Sequence, residues 1–327
     1  MKEFLGSAMY RKWRFTWLFV MAGVWLLAAG CSAPENTPYV RLQSVDNIDV
    51  AGEERASGKL PLRVAVAAVL SPEATFDIYG PLLDYLAIRL DRPVELLQRS
   101  TYAEINDLIR TGQADVAFVC GGAFVEGERE GYLELLAAPI VNGEMHYQSL
   151  LITPATSRAL KLEDLRGGRF AFTDPLSNSG RLYVQYLLTE RGASPETFFD
   201  NVIFTYSHDN SIRAVAEGVV DGAAVDSLVY AALTAREPSL ADRTRVFHRS
   251  PAFGIPPVVV HPQLDNALKA ALRRALLDLD AYPDAAEILT RLGVDAFGEA
   301  DPALYEDIRT MAAIVRGWTA PSGIRNP

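Results

Sequence analysis

From Leu60 onward, short β-rich runs alternate with stretches of helical spacing, and the alternation occurs twice. In the first round Leu62 to Ala67 reads as a strand. Tyr79 to Leu90 reads as a helix, with Leu82, Leu83, Leu86 and Leu90 on one face. A strand follows at Pro93 to Leu97, then a helix from Tyr102 to Arg110 closed by Gly112, then a buried strand from Asp115 to Cys120. The second round has strands at 169–172, 202–206 and 222–225, with helices at 180–191, 211–217 and 227–236. A βαβαβ order predicts parallel strands joined by right-handed crossovers, so each round is one α/β lobe.

Two stretches read as crossings between the lobes: 147–153, and the proline-bearing run 244–260. After Leu264 three amphipathic helical segments run to Trp318. A chain that leaves one lobe, builds a second and returns makes a two-hinge clamshell. Residues 59–148 with 250–327 form the expected first lobe, and 149–249 the second. Ligands of such folds sit in the cleft, at the carboxyl ends of strands.

The first thirty residues differ from the rest. Lys2, Arg11, Lys12 and Arg14 precede a charge-free apolar run, Phe15 to Ala29. As a helix those residues span roughly 22 Å, short of a ~30 Å hydrocarbon core, as expected of a signal peptide over residues 1–30. The run ends Leu27-Ala28-Ala29-Gly30-Cys31, which is similar to a bacterial lipobox with Ala28 at the usual Leu position. In lipoproteins the signal is cleaved before the Cys and the thiol carries a diacylglycerol thioether; the other reading is a plain secretory signal or an anchor helix. Residues 31–58 read as a tether with an r.m.s. reach of roughly 30 Å. If Cys31 is acylated, Cys120 is left without a disulfide partner; it reads as a small buried hydrophobe.

The chain carries 31 basic and 41 acidic residues, a formal net charge of −10. Losing residues 1–30 removes four bases and one acid, moving the charge to −13. That balance excludes a general nucleic-acid binder, which needs a basic face. It does not exclude a small anion, which local donors decide. The four histidines and two cysteines form no metal-binding motif, and the Walker A and dinucleotide fingerprints are absent, so no metal or cofactor is expected.

The segment Asp174-Pro175-Leu176-Ser177-Asn178-Ser179-Gly180 follows a strand and opens a helix. Ser177, Asn178 and Ser179 supply hydroxyl and amide donors, Gly180 permits close approach, and the first helical N–H groups carry the positive dipole end. The same residues also suit an ordinary N-cap. At a second strand-to-helix junction His208 can donate to an anion or serve as a structural histidine, with Asp209 or Asn210 as the cap. Asp226, after a third strand, can cap the next helix or accept from a protonated ligand oxygen. Gly121 and Gly122 form a glycine-rich strand exit with backbone donors. Tyr102 and Tyr147 can face the cleft or simply pack. Ser177 or Ser179 with His208 and Asp226 would be the ingredients of a hydrolase triad, but the nucleophile-elbow pattern is missing; no enzyme activity is expected.

These segments together, with Ser100-Thr101-Tyr102-Ala103-Glu104, Gly112 to Ala117, Tyr147-Gln148-Ser149-Leu150 and Ser207 to Gly218, resemble the phosphate/phosphite/phosphonate-binding proteins of ABC importers. The resemblance runs from about Leu60 to His261. It implies an α/β type II periplasmic-binding-protein fold, with two lobes joined by two crossing strands. It implies a small phosphorus oxyanion held at Ser177, Asn178 and Ser179, with His208, Tyr102 and Tyr147. It also implies a membrane permease and a cytoplasmic ATPase as partners, and an extracytoplasmic location, with the lipid on Cys31 as membrane anchor. The same closure would equally serve a sensor kinase. The family motif reads Ser-Thr-Ser-Gly, where this chain has Asn178. Members that bind an aminoalkylphosphonate pair its ammonium with carboxylates, and the matching places lie near the apolar Leu228 and Pro256. The expected ligand is therefore phosphite, phosphate or a simple alkylphosphonate.

Overall fold

The computed structural model describes residues 60–69 and 72–318. The expected signal segment, Cys31 and the tether lie outside the described residues. Among the described residues no helix is long and apolar enough to cross a membrane.

In chain order the first lobe contains β1 (Leu62–Val66), α1 (Pro72–Leu90), β2 (Val94–Gln98), α2 (Tyr102–Arg110), β3 (Val116–Phe118), α3 (Gly121–Arg129) and β4 (Glu134–Ile140). β5 (His146–Tyr147) and β6 (Ser149–Pro154) lead into the second lobe. There follow β7 (Arg169–Phe172), α4 (Tyr183–Thr189), α5 (Pro195–Phe198), β8 (Asn201–Phe204), α6 (His208–Ala216), β9 (Gly222–Asp226), α7 (Ser227–Arg236), α8 (Pro238–Arg243) and β10 (Thr244–Arg249). The chain returns through β11 (Phe253–Gly254) and β12 (Val258–Val260) to α9 (Asn266–Leu277), α10 (Ala285–Leu292), β13 (Ala296–Gly298) and α11 (Glu306–Gly317).

One sheet has the order β13-β4-β12-β3-β1-β2, the other β10-β6-β9-β7-β8, and β11 pairs with β5 at the crossing. The parallel pairing expected from the βαβαβ order holds for β1 with β2 and β3, and for β7 with β8 and β9. Both sheets are nevertheless mixed, because β12 runs antiparallel to β3 and β6 antiparallel to β9. These strands enter directly from the crossings, without the helical crossover that parallel pairing requires.

The two lobes repeat each other closely. Arg63 clamps Asp115 from its backbone N–H at 2.8 Å and from its guanidinium at 2.8 Å, tying β1 to the start of β3. Arg169 clamps Asp221 in the same way, at 2.8 and 2.9 Å, tying β7 to the start of β9. The partners are 52 residues apart in each clip. Superposing the clips without a gap sets Thr101 on Ser207, Gly112 on Gly218, Tyr102 on His208 and Cys120 on Asp226. Thr101 and Ser207 are both N-caps, and α2 and α6 have the same length.

Strand alternation decides where each lobe's apolar side chains go. Leu62, Val64 and Val66 pack with Leu82 and Leu86 of α1 and Leu272 and Leu276 of α9. Ala65 and Ala67 face the opposite way, toward Tyr102, Ile105 and Phe124. In the second lobe Ala171, Ile212, Val215 and Val225 form the corresponding layer. Each Leu or Ile fully buried in these layers stabilises the fold by roughly 1.5–3 kcal/mol.

Several local expectations change. The helix read from Tyr79 begins at Pro72 and runs through Pro81. Gly121 and Gly122 open α3, where a bare strand exit was expected. Neither Asp209 nor Asn210 caps α6: the Ser207 hydroxyl does, accepting from the Asn210 N–H at 3.4 Å, and the helix begins at His208. The helix expected from Gly180 starts instead as a π turn over Asn178–Leu182. The strands β4 and β13 add to the first sheet without having been read from the sequence.

Candidate functional site

The carboxyl ends of β1, β3, β7 and β9 and the starts of α2, α3 and α6 converge where the lobes meet. Tyr102, Tyr147, Ser177, Asn178, Ser179, His208 and Asp226 are all buried there, none more than 3% exposed. Contacts cross between the lobes in both directions. The Tyr102 N–H donates to Asp174 Oδ2 at 3.0 Å, and the His208 N–H donates to the Val69 carbonyl at 3.2 Å. The Asn178 N–H meets Cys120 Sγ at 3.4 Å. The Gly122 backbone lies so near the loop that a Cβ there would be 3.0 Å from Asn178 N and would clash with the Leu176 carbonyl. Gly121 lies beside Gly122 in the first turn of α3, whose N-cap Cys120 makes no side-chain cap.

The serine-rich loop is braced from within. Ser177 Oγ accepts from the Gly180 N–H at 3.0 Å, so the capping role is real for this residue. The same hydroxyl can donate its own hydrogen, and the Cys120 sulfur of the other lobe is within its reach. Gly180 cannot carry a side chain, since a Cβ would collide with Thr173 Oγ1 and sit 2.8 Å from Ser177 Oγ. Ser149 Oγ, on the first crossing, donates to the Ser179 carbonyl at 2.6 Å. Asn178 Nδ2 donates to the Tyr147 hydroxyl at 3.0 Å.

Three buried polar atoms of this cluster have no hydrogen-bond partner: Tyr102 OH, Asn178 Oδ1 and Ser179 Oγ. Ser179 Oγ lies beside the Tyr147 hydroxyl without forming a bond of good geometry. Leaving such a group unsatisfied costs about 1–3 kcal/mol. Such groups ordinarily find a partner in protein, water or ligand, and three of the seven found among the described residues gather where the two lobes meet.

The electrostatics are those of neutral donors. The Asp226 backbone N–H donates to His208 Nδ1 at 3.0 Å, which places the ring proton on Nε2. Burial pushes the His208 pKa down to about 3, so the ring is neutral. Burial holds the Tyr102 and Tyr147 hydroxyls protonated and raises the Cys120 thiol. Burial also raises Asp226 to about 6, against the stabilising Val229 and Leu228 N–H groups that its Oδ1 accepts at 3.2 and 2.7 Å. Asp226 thus caps α7 while belonging to the cluster. No Lys or Arg is among these residues, and no group of three or more His, Cys, Asp or Glu among the described residues is placed to hold a metal ion.

Sequence reasoning missed Cys120 as a contact between lobes, Asp174 as the acceptor for Tyr102, and Ser149 as a brace. Asp174 had a local signal, standing just before Pro175-Leu176-Ser177. Cys120 had none, because its partner Asn178 is 58 residues away.

The family model for the periplasmic substrate-binding protein of phosphonate ABC transporters matches residues 64–305. The chain is 32% identical over 162 residues to the phosphate-import protein PhnD of Mycolicibacterium smegmatis, covering 46% of this chain and 50% of that one. It is 24% identical over 192 residues to a probable ABC transporter phosphite-binding protein, PhnD1, of Prochlorococcus marinus, covering 57% and 63%. The chain therefore spans between half and two thirds of the length of these relatives. Two solved structures share the fold. The binding component of an ABC phosphonate transporter from Pseudomonas aeruginosa superposes with a TM-score of 0.74 at 24% identity, covering 79% of this chain and 87% of that one. Prochlorococcus marinus PhnD1, in complex with methylphosphonate, superposes with 0.70 at 20% identity, covering 78% and 98%.

Proposed function

Because the chain belongs to the family of periplasmic substrate-binding proteins of phosphonate ABC transporters, a family of binding proteins and not of enzymes, we propose that it captures a small phosphorus oxyanion between its lobes. The observation that carries this reading is the trio of unpartnered buried atoms, Tyr102 OH, Asn178 Oδ1 and Ser179 Oγ.

The ligand oxygens receive hydrogen bonds from the Ser177, Ser179, Tyr102 and Tyr147 hydroxyls and from His208 Nε2–H. The backbone N–H groups near Gly180 and those of Gly121 and Gly122 add partial positive charge from two helix starts. A half-turn of the Asn178 amide presents Nδ2 to the anion and lets Tyr147 donate to Oδ1. Asp226 accepts from a protonated ligand oxygen, so ligand and carboxyl share one proton. With no cation present, affinity comes from dehydrated dipoles acting at low dielectric. Leu228 and Pro256 offer no carboxylate for a ligand ammonium, which favours phosphite, phosphate or a simple alkylphosphonate.

Donors from both lobes favour the state in which the lobes meet, and Gln148 and Ser250 mark the hinges, where Gln148 Nε2 donates to the Ser250 carbonyl at 2.7 Å. The lobes joined in this way present one surface to a membrane permease served by a cytoplasmic ATPase, and a thioether lipid on Cys31 keeps the protein at the membrane outside the cytoplasm. Titration calorimetry against phosphite, phosphate, methylphosphonate and 2-aminoethylphosphonate tests the site. Micromolar or tighter binding of one of the first three is expected, lost in Ser177→Ala and His208→Ala. Tight binding of 2-aminoethylphosphonate alone would sink the ligand assignment.

A further inference from the structure

The last segment of the first lobe reaches across the molecule to the second. A 3-10 turn, Pro302–Tyr305, runs directly into α11. One side of this segment is fixed to the first lobe. Arg309 grips Glu128 of α3 through Nε at 2.7 Å and Nη2 at 2.9 Å, and Arg316 reaches Glu126 of the same helix at 3.2 Å. The Tyr305 ring packs edge-on against Phe124 of α3, with centroids 4.9 Å apart.

The same segment sits on the hinge. The Tyr305 hydroxyl donates to the Ile255 carbonyl at 2.9 Å, just past β11. The Ile255 N–H donates to the Met145 carbonyl at 3.0 Å, which joins the second crossing to the first. A Cβ on Gly254 would lie 3.0 Å from Leu304 C, so the turn rests directly on the crossing backbone.

The apolar face of α11 is turned to the second lobe. Ile308, Met311 and Ala312 recur at helical spacing and are buried. The helix packs against α4 and the π turn Asn178–Leu182, and its face shares one apolar core with Tyr183, Val184 and Leu188 of α4. From there rings lead to the oxyanion cluster: Tyr183 meets Phe253 at 5.7 Å, and Phe253 meets Tyr147 at 6.4 Å. Ile308 also backs the first-lobe donors, since a Cβ on Gly121 would lie 2.8 Å from its Cδ1.

The contacts with α3 stay within one lobe, whereas the contact with α4 changes when the lobes rotate about the hinge. A contact whose energy differs between two states shifts their equilibrium. We propose that residues 302–317 are a strap that holds the second lobe against the first, so that Tyr305, Ile308 and Met311 set ligand affinity as positioning residues without touching the ligand. The inference rests on the oxyanion site proposed above and adds what tunes its closure. Because the strap acts on the closing equilibrium, it scales the affinity for every ligand by one factor.

Titration calorimetry of wild type, Met311→Ala, Met311→Leu and Tyr305→Phe with phosphate, phosphite and methylphosphonate tests it, with melting temperatures of the ligand-free proteins alongside. Met311→Ala removes buried packing, Met311→Leu conserves its volume, and Tyr305→Phe keeps the ring but loses the grip on Ile255. Met311→Ala should raise every measurable Kd about fivefold or more. Tyr305→Phe should raise each about threefold or more. In both, the ratios between ligands should stay within about twofold of wild type, and Met311→Leu should restore wild-type affinity. Affinity within twofold of wild type in either variant, whatever the melting temperature, overturns the inference and leaves the oxyanion site standing. So does tighter binding, or a loss confined to one ligand. Should Met311→Ala not fold, Tyr305→Phe decides by the same criterion. If wild type binds none of the three oxyanions, the oxyanion site itself is overturned, and this inference with it.

Discussion

Gly122→Ala isolates the contact between lobes. Gly122 is in the first turn of α3, where a methyl group is sterically ordinary for the helix itself. The obstacle belongs to the other lobe. A Cβ would lie 3.0 Å from Asn178 N, 3.3 Å from Leu176 C and closer still to the Leu176 carbonyl oxygen. All three are backbone atoms, so no side-chain rotation relieves them. Restoring a non-bonded separation of about 3.5–4.0 Å requires the lobes to part by roughly 1 Å. That movement strains the Asn178 N–H to Cys120 contact, already at 3.4 Å, and lengthens the Tyr102 N–H bond to Asp174 across the lobes. Overpacking of this kind costs about 1–3 kcal/mol, equivalent to a roughly 5- to 150-fold loss of ligand affinity. In any state with the lobes apart, the same substitution should stabilise α3 by about 0.5–1 kcal/mol, because alanine loses less backbone entropy than glycine. The signature is therefore weaker binding by calorimetry together with an unchanged or raised melting temperature of the ligand-free protein. Affinity within twofold of wild type would refute the reasoning. A fall of more than about 2 kcal/mol in ligand-free stability would show that the lobes meet permanently, rather than upon ligand binding.

Ser179→Ala removes a buried hydroxyl that has no partner. Ligand affinity should fall about tenfold or more while ligand-free stability holds or rises by up to about 1 kcal/mol, read by calorimetry and chemical denaturation; a destabilised protein with intact affinity would contradict this. His208 has its pKa lowered to about 3, so its contribution to stability is complete above the unfolded value near 6.5 and is lost as pH falls toward 3. His208→Asn keeps an acceptor for the Asp226 N–H, and relative to wild type its stability should gain about 3 kcal/mol between pH 7 and pH 4; parallel curves from urea titrations would count against a buried neutral histidine. Asp226 moves oppositely: raised to about 6, its contribution is complete below about 3.8 and is lost as pH rises through 6. Asp226→Asn retains a capping oxygen for α7 but cannot share a proton, so buffer-dependent calorimetry near pH 7.5 should show proton uptake on ligand binding in the wild type alone.

The helix over Tyr102–Arg110 was legible at its exact ends because its signals are local. Thr101 and Glu104 form a reciprocal cap, with Glu104 N–H to Thr101 Oγ1 at 3.2 Å and Thr101 N–H to Glu104 Oε2 at 2.9 Å, and Ile105, Leu108 and Ile109 sit on one buried face. The strand Arg169–Phe172 and the helix Ser227–Arg236 were equally plain. By contrast β4 and β13 depend on partners far along the chain, Val258–Val260 for the first and β4 itself for the second. The π turn at Asn178–Leu182 arises where Ser177 Oγ takes the Gly180 N–H and the Ser179 carbonyl is held by Ser149, a residue of the crossing strand.

Residue order and period alone thus determined the two α/β rounds, the crossings between them and the polar loops at the strand ends, since those depend on neighbours within a few turns. The same holds for the identity of the polar groups: Ser177, Asn178, Ser179, His208 and Asp226 stand where strands end and helices begin. Only the tertiary structure decided which of these groups are already satisfied. Ser177 and Asp226 spend an acceptor on capping, whereas Tyr102 OH and Ser179 Oγ are left without partners. It alone set Tyr102 opposite Asp174, brought Cys120 against Asn178, and left an apolar cavity beside Asp226. The physical reason is that hydrogen-bond satisfaction and desolvation are properties of a completed enclosure, and its walls here come from two lobes that the chain visits in turn.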